Sequence, residues 1–259
     1  MPSPPIEELR AATQPPSIFE RSSGEHWAGR LYVRRGSPYL TRLLLRTPIT
    51  PNGVTWLMIA AGLAAAAVLS LPGLLAAVAA ALLIQLQILL DFSDGELARW
   101  RGATGSPKGV YLDRIGHWLT EAALPIALGV RADGGWDELG KYTALGLLIA
   151  VLVLLVKGES ALVAVARAQA GRPLAGDTRA VAAPRATGLR RARRVAGFVP
   201  VFRAFVAIEA TLIALAAAIV DEVAGDLAGS RTLVVALVGV GALTAGGHLV
   251  AILNSDRLR

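Results

Sequence analysis

DFSDGELARWRGATGSPKGVYLDRIGH, residues 91–117, joins two strongly apolar segments and sets Asp91, Asp94, Arg99, Asp113 and His117 at their junction. Acidic side chains at a membrane boundary are unfavourable unless something pairs with them, so this run points to a function. Asp91 and Asp94 are three residues apart, and Asp113 and His117 four apart, so each pair falls on one face of its own helix. Two such rows converging across the turn of residues 102–108 (GATGSPK) have the geometry of a divalent-metal site. Three carboxylates gathered in low dielectric repel one another, and a bound cation removes that penalty. Oxygen-rich donors favour magnesium or manganese over zinc.

On either side of this run the chain is apolar. Of 259 residues 54% are hydrophobic and 17% charged, and mean hydropathy is +0.54, well above what a soluble core requires. A membrane span needs roughly 20 apolar residues. Six windows qualify: 54–71, 74–90, 110–130, 142–156, 200–220 and 232–253, the fourth being short unless its helix runs past Lys157. No β period competes, and aromatic residues are too few for barrel girdles. The expected fold is an all-α integral membrane protein with six transmembrane helices in residues 51–255.

Basic residues orient these spans. Arg30, Arg34, Arg35, Arg42 and Arg46 precede the first, Arg99, Arg101 and Lys108 follow the second, and nine arginines from Arg167 to Arg203 lie between the fourth and fifth. The alternate connections hold almost none, so both termini and residues 91–117 are expected on the cytoplasmic side. The net charge of +7 is then mainly a topology signal, with attraction to anionic lipid second. Nucleic-acid binding is the weaker reading, because the cations hug span ends. With no cysteine, disulfides and thiolate metal sites are excluded. The first apolar run starts near residue 54, so no cleavable signal peptide is expected. Residues 1–25, with five prolines, read as a mobile tail. Residues 26–50 alternate Trp27, Leu31, Tyr32, Tyr39 and Leu43 with arginines, as an interfacial amphipathic helix would, or as a linker supplying topogenic charge. Arg190, Arg191, Arg193 and Arg194 suit a headgroup-binding surface helix.

Small residues narrow the chemistry. Gly95 and Ala98 lie about one turn apart beside the aspartates, leaving bare helix backbone for a flat base or a diphosphate, and Arg99 adds a positive fork. Gly109 opens the third span, with Asp113 roughly 6 Å and His117 roughly 12 Å further along it. This pattern, Asp91, Asp94-Gly95, Ala98-Arg99, Gly109, Asp113 and His117, closely resembles the signature of the CDP-alcohol phosphotransferases. Thr50-Pro51-Asn52-Gly53-Val54-Thr55 also looks like that family. The resemblance implies a six-span membrane enzyme, usually a homodimer, with a cytosolic amphipathic N-terminal helix. Such an enzyme transfers a phosphoalcohol, phosphatidyl among them, from a CDP-linked donor to a hydroxyl acceptor in phospholipid synthesis and releases CMP. Carried over, Asp91, Asp94 and Asp113 would be metal ligands, with two magnesium or manganese ions expected. Gly95, Ala98, Arg99 and Gly109 would shape the CDP pocket.

Two departures stand out. The nine residues between Arg99 and Gly109 exceed the usual spacing by one, in a turn that absorbs an insertion without rotating either helix. At the last motif position an aspartate, metal ligand and general base in the family, is replaced by His117. Neutral imidazole can ligate a metal or accept a hydroxyl proton, and its ordinary pKa of about 6.5 suits a base. His117 and Asp113 are thus the catalytic candidates, with His117 doubling as a possible metal ligand. Glu121, one turn deeper, either orients His117 or pairs with another span. Lys157 and Arg203 either hold an acceptor phosphate or snorkel at span ends. Glu209, near mid-span, has no partner legible in the sequence.

Other readings stay open. His117 is compatible with a catalytically impaired protein that binds a CDP-lipid without turnover. A small transporter fits six spans less well, because the acidic cluster lies at one interface and the first, second and sixth spans lack polar lining. Gly239, Ala242, Gly246 and Gly247 suggest close helix packing in the bundle or across a dimer, with His248 a packing hydrogen-bonder.

Overall fold

The computed structural model describes residues 4–15, 27–173 and 201–258, and these are helical with no strand among them. Eight α-helices follow in order: α1 (Ile6–Thr13), α2 (Arg34–Leu44), α3 (Pro51–Leu69), α4 (Leu74–Trp100), α5 (Pro107–Asp133), α6 (Lys141–Gln169), α7 (Ala207–Ala224) and α8 (Ala228–Leu253). A π-helical turn, Gly29–Val33, leads into α2, and a 3-10 segment, Val201–Phe205, precedes α7.

Four of these, α3, α4, α6 and α8, are long and apolar enough to cross a membrane, with mean hydropathies of 1.7, 2.1, 2.3 and 2.0. Their outward residues are apolar too: Leu82 on α4 is 64% exposed and Leu243 on α8 79%. In water such surfaces would associate, whereas hydrocarbon solvates them. The fourth window continues past Lys157, as a full span requires. Helices α5 and α7 cover the third and fifth windows but are more charged, α5 through Asp113, Arg114 and Glu121 and α7 through Glu209, Asp221 and Glu222. The fifth window also begins later than expected, because Val206 is extended (φ −75°, ψ 136°) and breaks the chain from 3-10 to α.

Local chemistry explains the helix ends that frame residues 91–117. Thr50 Oγ1 accepts the Gly53 N–H at 3.1 Å and Pro51 occupies the first helical position, so α3 starts there. Between α4 and α5, Gly102 (φ 64°) and Gly105 (φ 79°) adopt the left-handed conformation, and Pro107 starts α5.

The described residues fall into two compact units. The first draws on Met1–Ala65 and Ala81–Thr120, the second on Ala66–Ala80 and Glu121–Arg259. In the first, Val54, Met58, Ile59, Ala61, Leu90 and Leu97 form the core, and Leu40, Leu44, Leu45 and Ile49 pack against it. Residues 1–25, expected as a mobile tail, contain α1, in which Leu9 and Thr13 are wholly buried. The reason lies outside the segment: the Thr13 carbonyl and the Gln14 amide are hydrogen-bonded to α4. Arg190, Arg191, Arg193 and Arg194, assigned above to a surface helix, lie outside the described residues.

In the second unit α8 packs on α6 and α7. Arg131 is buried and donates to the Leu71 and Gly73 carbonyls at 2.8 and 3.1 Å, while Asp221 accepts the Ser230 hydroxyl and N–H. Helices α5 and α6 cross in near backbone contact at Gly146, where a Cβ would collide with the Pro125 carbonyl oxygen. Gly146→Leu is therefore expected to destabilise the protein by about 1–3 kcal/mol, read as a fall in Tm in detergent. Gly239→Leu, facing open space, should leave Tm almost unchanged.

Candidate active site

The α4–α5 hairpin runs antiparallel, so residues equally far from the turn face each other, and Asp91 meets His117. His117 Nε2 lies 3.2 Å from Asp91 Oδ1 and 3.5 Å from Asp113 Oδ1. An ionised carboxylate only accepts, so Nε2 carries the proton in the Asp91 contact. One ligand atom from each of Asp91, Asp113 and His117 falls within 4.8 Å of the others. All three side chains are partly exposed, Asp113 the most at 47%. Ligands of a magnesium ion sit about 2.1 Å from it, so donors already this close need only a small contraction to share one. Two carboxylates and an imidazole fit a hard or borderline divalent cation.

Asp94 is placed differently. It falls outside that tight group, and Thr55 of α3 donates to its Oδ2 at 2.6 Å, while Thr55 Oγ1 also lies 3.2 Å from the Pro51 carbonyl. Thr55 stood in the stretch read before the first span, yet no spacing rule links it to a residue 39 positions away. Orienting a ligand in this way is a recurrent feature of metal sites.

The nucleotide-side residues also change meaning. Gly95 has no bare strip to offer a ligand in this conformation, because the Arg99 guanidinium covers it: a Cβ on Gly95 would lie 3.2 Å from Nη1 and 3.4 Å from Nη2. Arg99 Nε in turn donates to the Thr13 carbonyl at 2.5 Å. Gly109 faces Asn52, whose Oδ1 would be 3.3 Å from an added Cβ. Ala98, beside Arg99 on α4, is half-buried. Glu96, which the sequence reading passed over, is fully buried and accepts from Gln14, Ser37 and Thr41. An acidic residue inside a run of aspartates was its only sequence signal.

The remaining candidates belong to the second unit. Glu121 pairs with Lys157 at 2.8 Å, which is the inter-helix partnership of the two readings given for Glu121, and it engages the ammonium named above as an acceptor-phosphate candidate. Arg203 is half-buried in the 3-10 segment before α7. His248 and Ser160 are 3.0 Å apart between α8 and α6, in keeping with a packing role.

Residues 48–177, about half of the chain, match the family model described as CDP-alcohol phosphatidyltransferase. The matched stretch contains every residue from Asp91 to His117. No curated protein matches the chain.

Proposed function

This chain belongs to the CDP-alcohol phosphatidyltransferase family, and from that premise we propose that it transfers a phosphoalcohol, a phosphatidyl group, from a CDP-linked lipid to a hydroxyl acceptor and releases CMP. The observation that carries the reading is the convergence of Asp91, Asp113 and His117 at the α4–α5 hairpin. Asp91, Asp94 and Asp113 would hold magnesium or manganese, with Thr55 orienting Asp94. Held there, such an ion would supply the positive charge that neutralises the donor diphosphate and stabilises CMP as leaving group. With Nε2 donating to Asp91, the other ring nitrogen of neutral His117 keeps its lone pair and takes the proton from the acceptor hydroxyl. The acceptor oxygen then bonds to the β-phosphorus as the bond to the bridging diphosphate oxygen breaks, and CMP departs with the electron pair.

Helices α3 to α8 are proposed as six spans, with both termini and the site cytoplasmic, because the cationic connections alternate with nearly uncharged ones. An interfacial position for residues 26–50 is supported by α2 and its preceding turn, where Leu31, Tyr32, Tyr39 and Leu43 are exposed while Ser37 and Thr41 are buried. A homodimer is the assembly the family implies.

His117 favours a second reading, a CDP-lipid-binding protein without turnover. Purified protein with magnesium, given a panel of CDP-alcohols and hydroxyl acceptors, is expected to release CMP and to stop on chelation. Binding of a CDP-alcohol with no CMP from any pair would establish the second reading instead.

A further inference from the structure

We propose that Glu96 is a positioning residue for the nucleotide side of this site, acting through α1 on Arg99; the inference rests on the CDP-donor reading above. Glu96 projects from the same helix as Asp91, Asp94 and Arg99 and lies outside the group formed by Asp91, Asp113 and His117. Its carboxylate is wholly buried and is satisfied by three donors on the N-terminal segment: Gln14 Nε2 at 2.7 Å, the Ser37 hydroxyl at 2.5 Å and the Thr41 hydroxyl at 2.7 Å. A buried carboxylate so satisfied holds its partners firmly, because losing any one of them leaves charge uncompensated.

Gln14 completes the anchor by donating also to the Arg34 carbonyl at 3.0 Å, so the end of α1 is pinned to both α4 and α2. Thr13, next in the chain, uses its hydroxyl on the Leu9 carbonyl at 2.7 Å and turns its own carbonyl to Arg99 Nε. Arg99 leaves α4 one turn after Glu96, and its guanidinium lies across Gly95. The path Glu96, Gln14, Thr13, Arg99 therefore fixes the orientation of the one guanidinium that the motif places beside the diphosphate ligands. An arginine that grips a phosphate or a base edge loses rotamer freedom in doing so, and one already held loses less, so the donor binds more tightly.

CDP binding to the full-length protein in detergent with magnesium, followed by calorimetry, tests this. Gln14→Ala is expected to weaken CDP about tenfold, the effect of releasing one long side chain. In an Arg99→Lys background the same change should have no effect, a coupling that general loss of stability would not produce. Glu96→Gln should weaken CDP at least as much, and the double variant no more than Glu96→Gln alone; Gln14→Ala serves if Glu96→Gln does not fold. Unchanged CDP affinity in Gln14→Ala, or equal weakening with and without Arg99, overturns the inference. Tighter binding overturns it too, since α1 would then be a cover over the site. If the wild-type protein binds no CDP, the donor reading itself fails and takes this inference with it.

Discussion

Asp113→Asn is expected to lower CMP release by about a thousandfold or more, the effect of removing several kcal/mol of transition-state charge stabilisation. The substitution keeps the shape of the side chain and removes its charge. Asp113 lies on the exposed side of the cluster, 3.5 Å from His117 Nε2, so its loss deprives both the cation site and the imidazole of a negative partner. The fold should survive, because the core of this unit is built from Val54, Met58, Ile59, Leu90 and Leu97 rather than from the carboxylates. Helical content by circular dichroism and Tm check that point, while CMP release across a magnesium titration checks the role. Activity within about tenfold of wild type at ordinary magnesium would sink the metal assignment.

His117 carries the second large effect, and it calls for a pair of variants. His117→Ala removes the group within reach of both Asp91 and Asp113 and should lower turnover by roughly a hundredfold to ten-thousandfold, the range for loss of a general base. His117→Asp, which supplies a carboxylate at the same position on α5, should recover most of that loss. It should also shift the acidic limb of the pH–rate profile downward, because a carboxylate loses its proton at lower pH than an imidazole. A fully active alanine variant would make His117 a spectator. An inactive alanine variant that aspartate cannot rescue would show that the imidazole itself is required.

Much of the span plan could be read in advance because it is local. Runs such as Leu74 to Ile84 are apolar at every helical angle, and a bilayer rather than a particular neighbour is what such a surface needs. The third and fifth windows were harder. In α5 the apolar pattern is interrupted by Asp113 and His117 of the candidate site, and in α7 by Glu209, Asp221 and Glu222. The N-terminal segment, of which residues 4–15 are described, is a different case. Prolines and scattered charges in residues 1–25 indicate a tail by composition, and α1 is ordered by hydrogen bonds to Glu96 and Arg99 that composition does not register.

The division between chain and fold follows sequence distance. The two rows proposed as ligands, Asp91 with Asp94 and Asp113 with His117, and the glycine and proline turn between them rest on helical periodicity and backbone preference, which are local, so their placement on two helices could be read from residues 91–117 alone. That Asp94 would be held by Thr55, that Lys157 would be taken by Glu121, and that Gly95 would seat Arg99 rather than lie open depended on packing. Glu96 and Gln14 are 82 residues apart, and Thr13 and Arg99 are 86 apart. No helical period spans such a distance, and only the close packing of α1, α2 and α4 brings those donors and acceptors together.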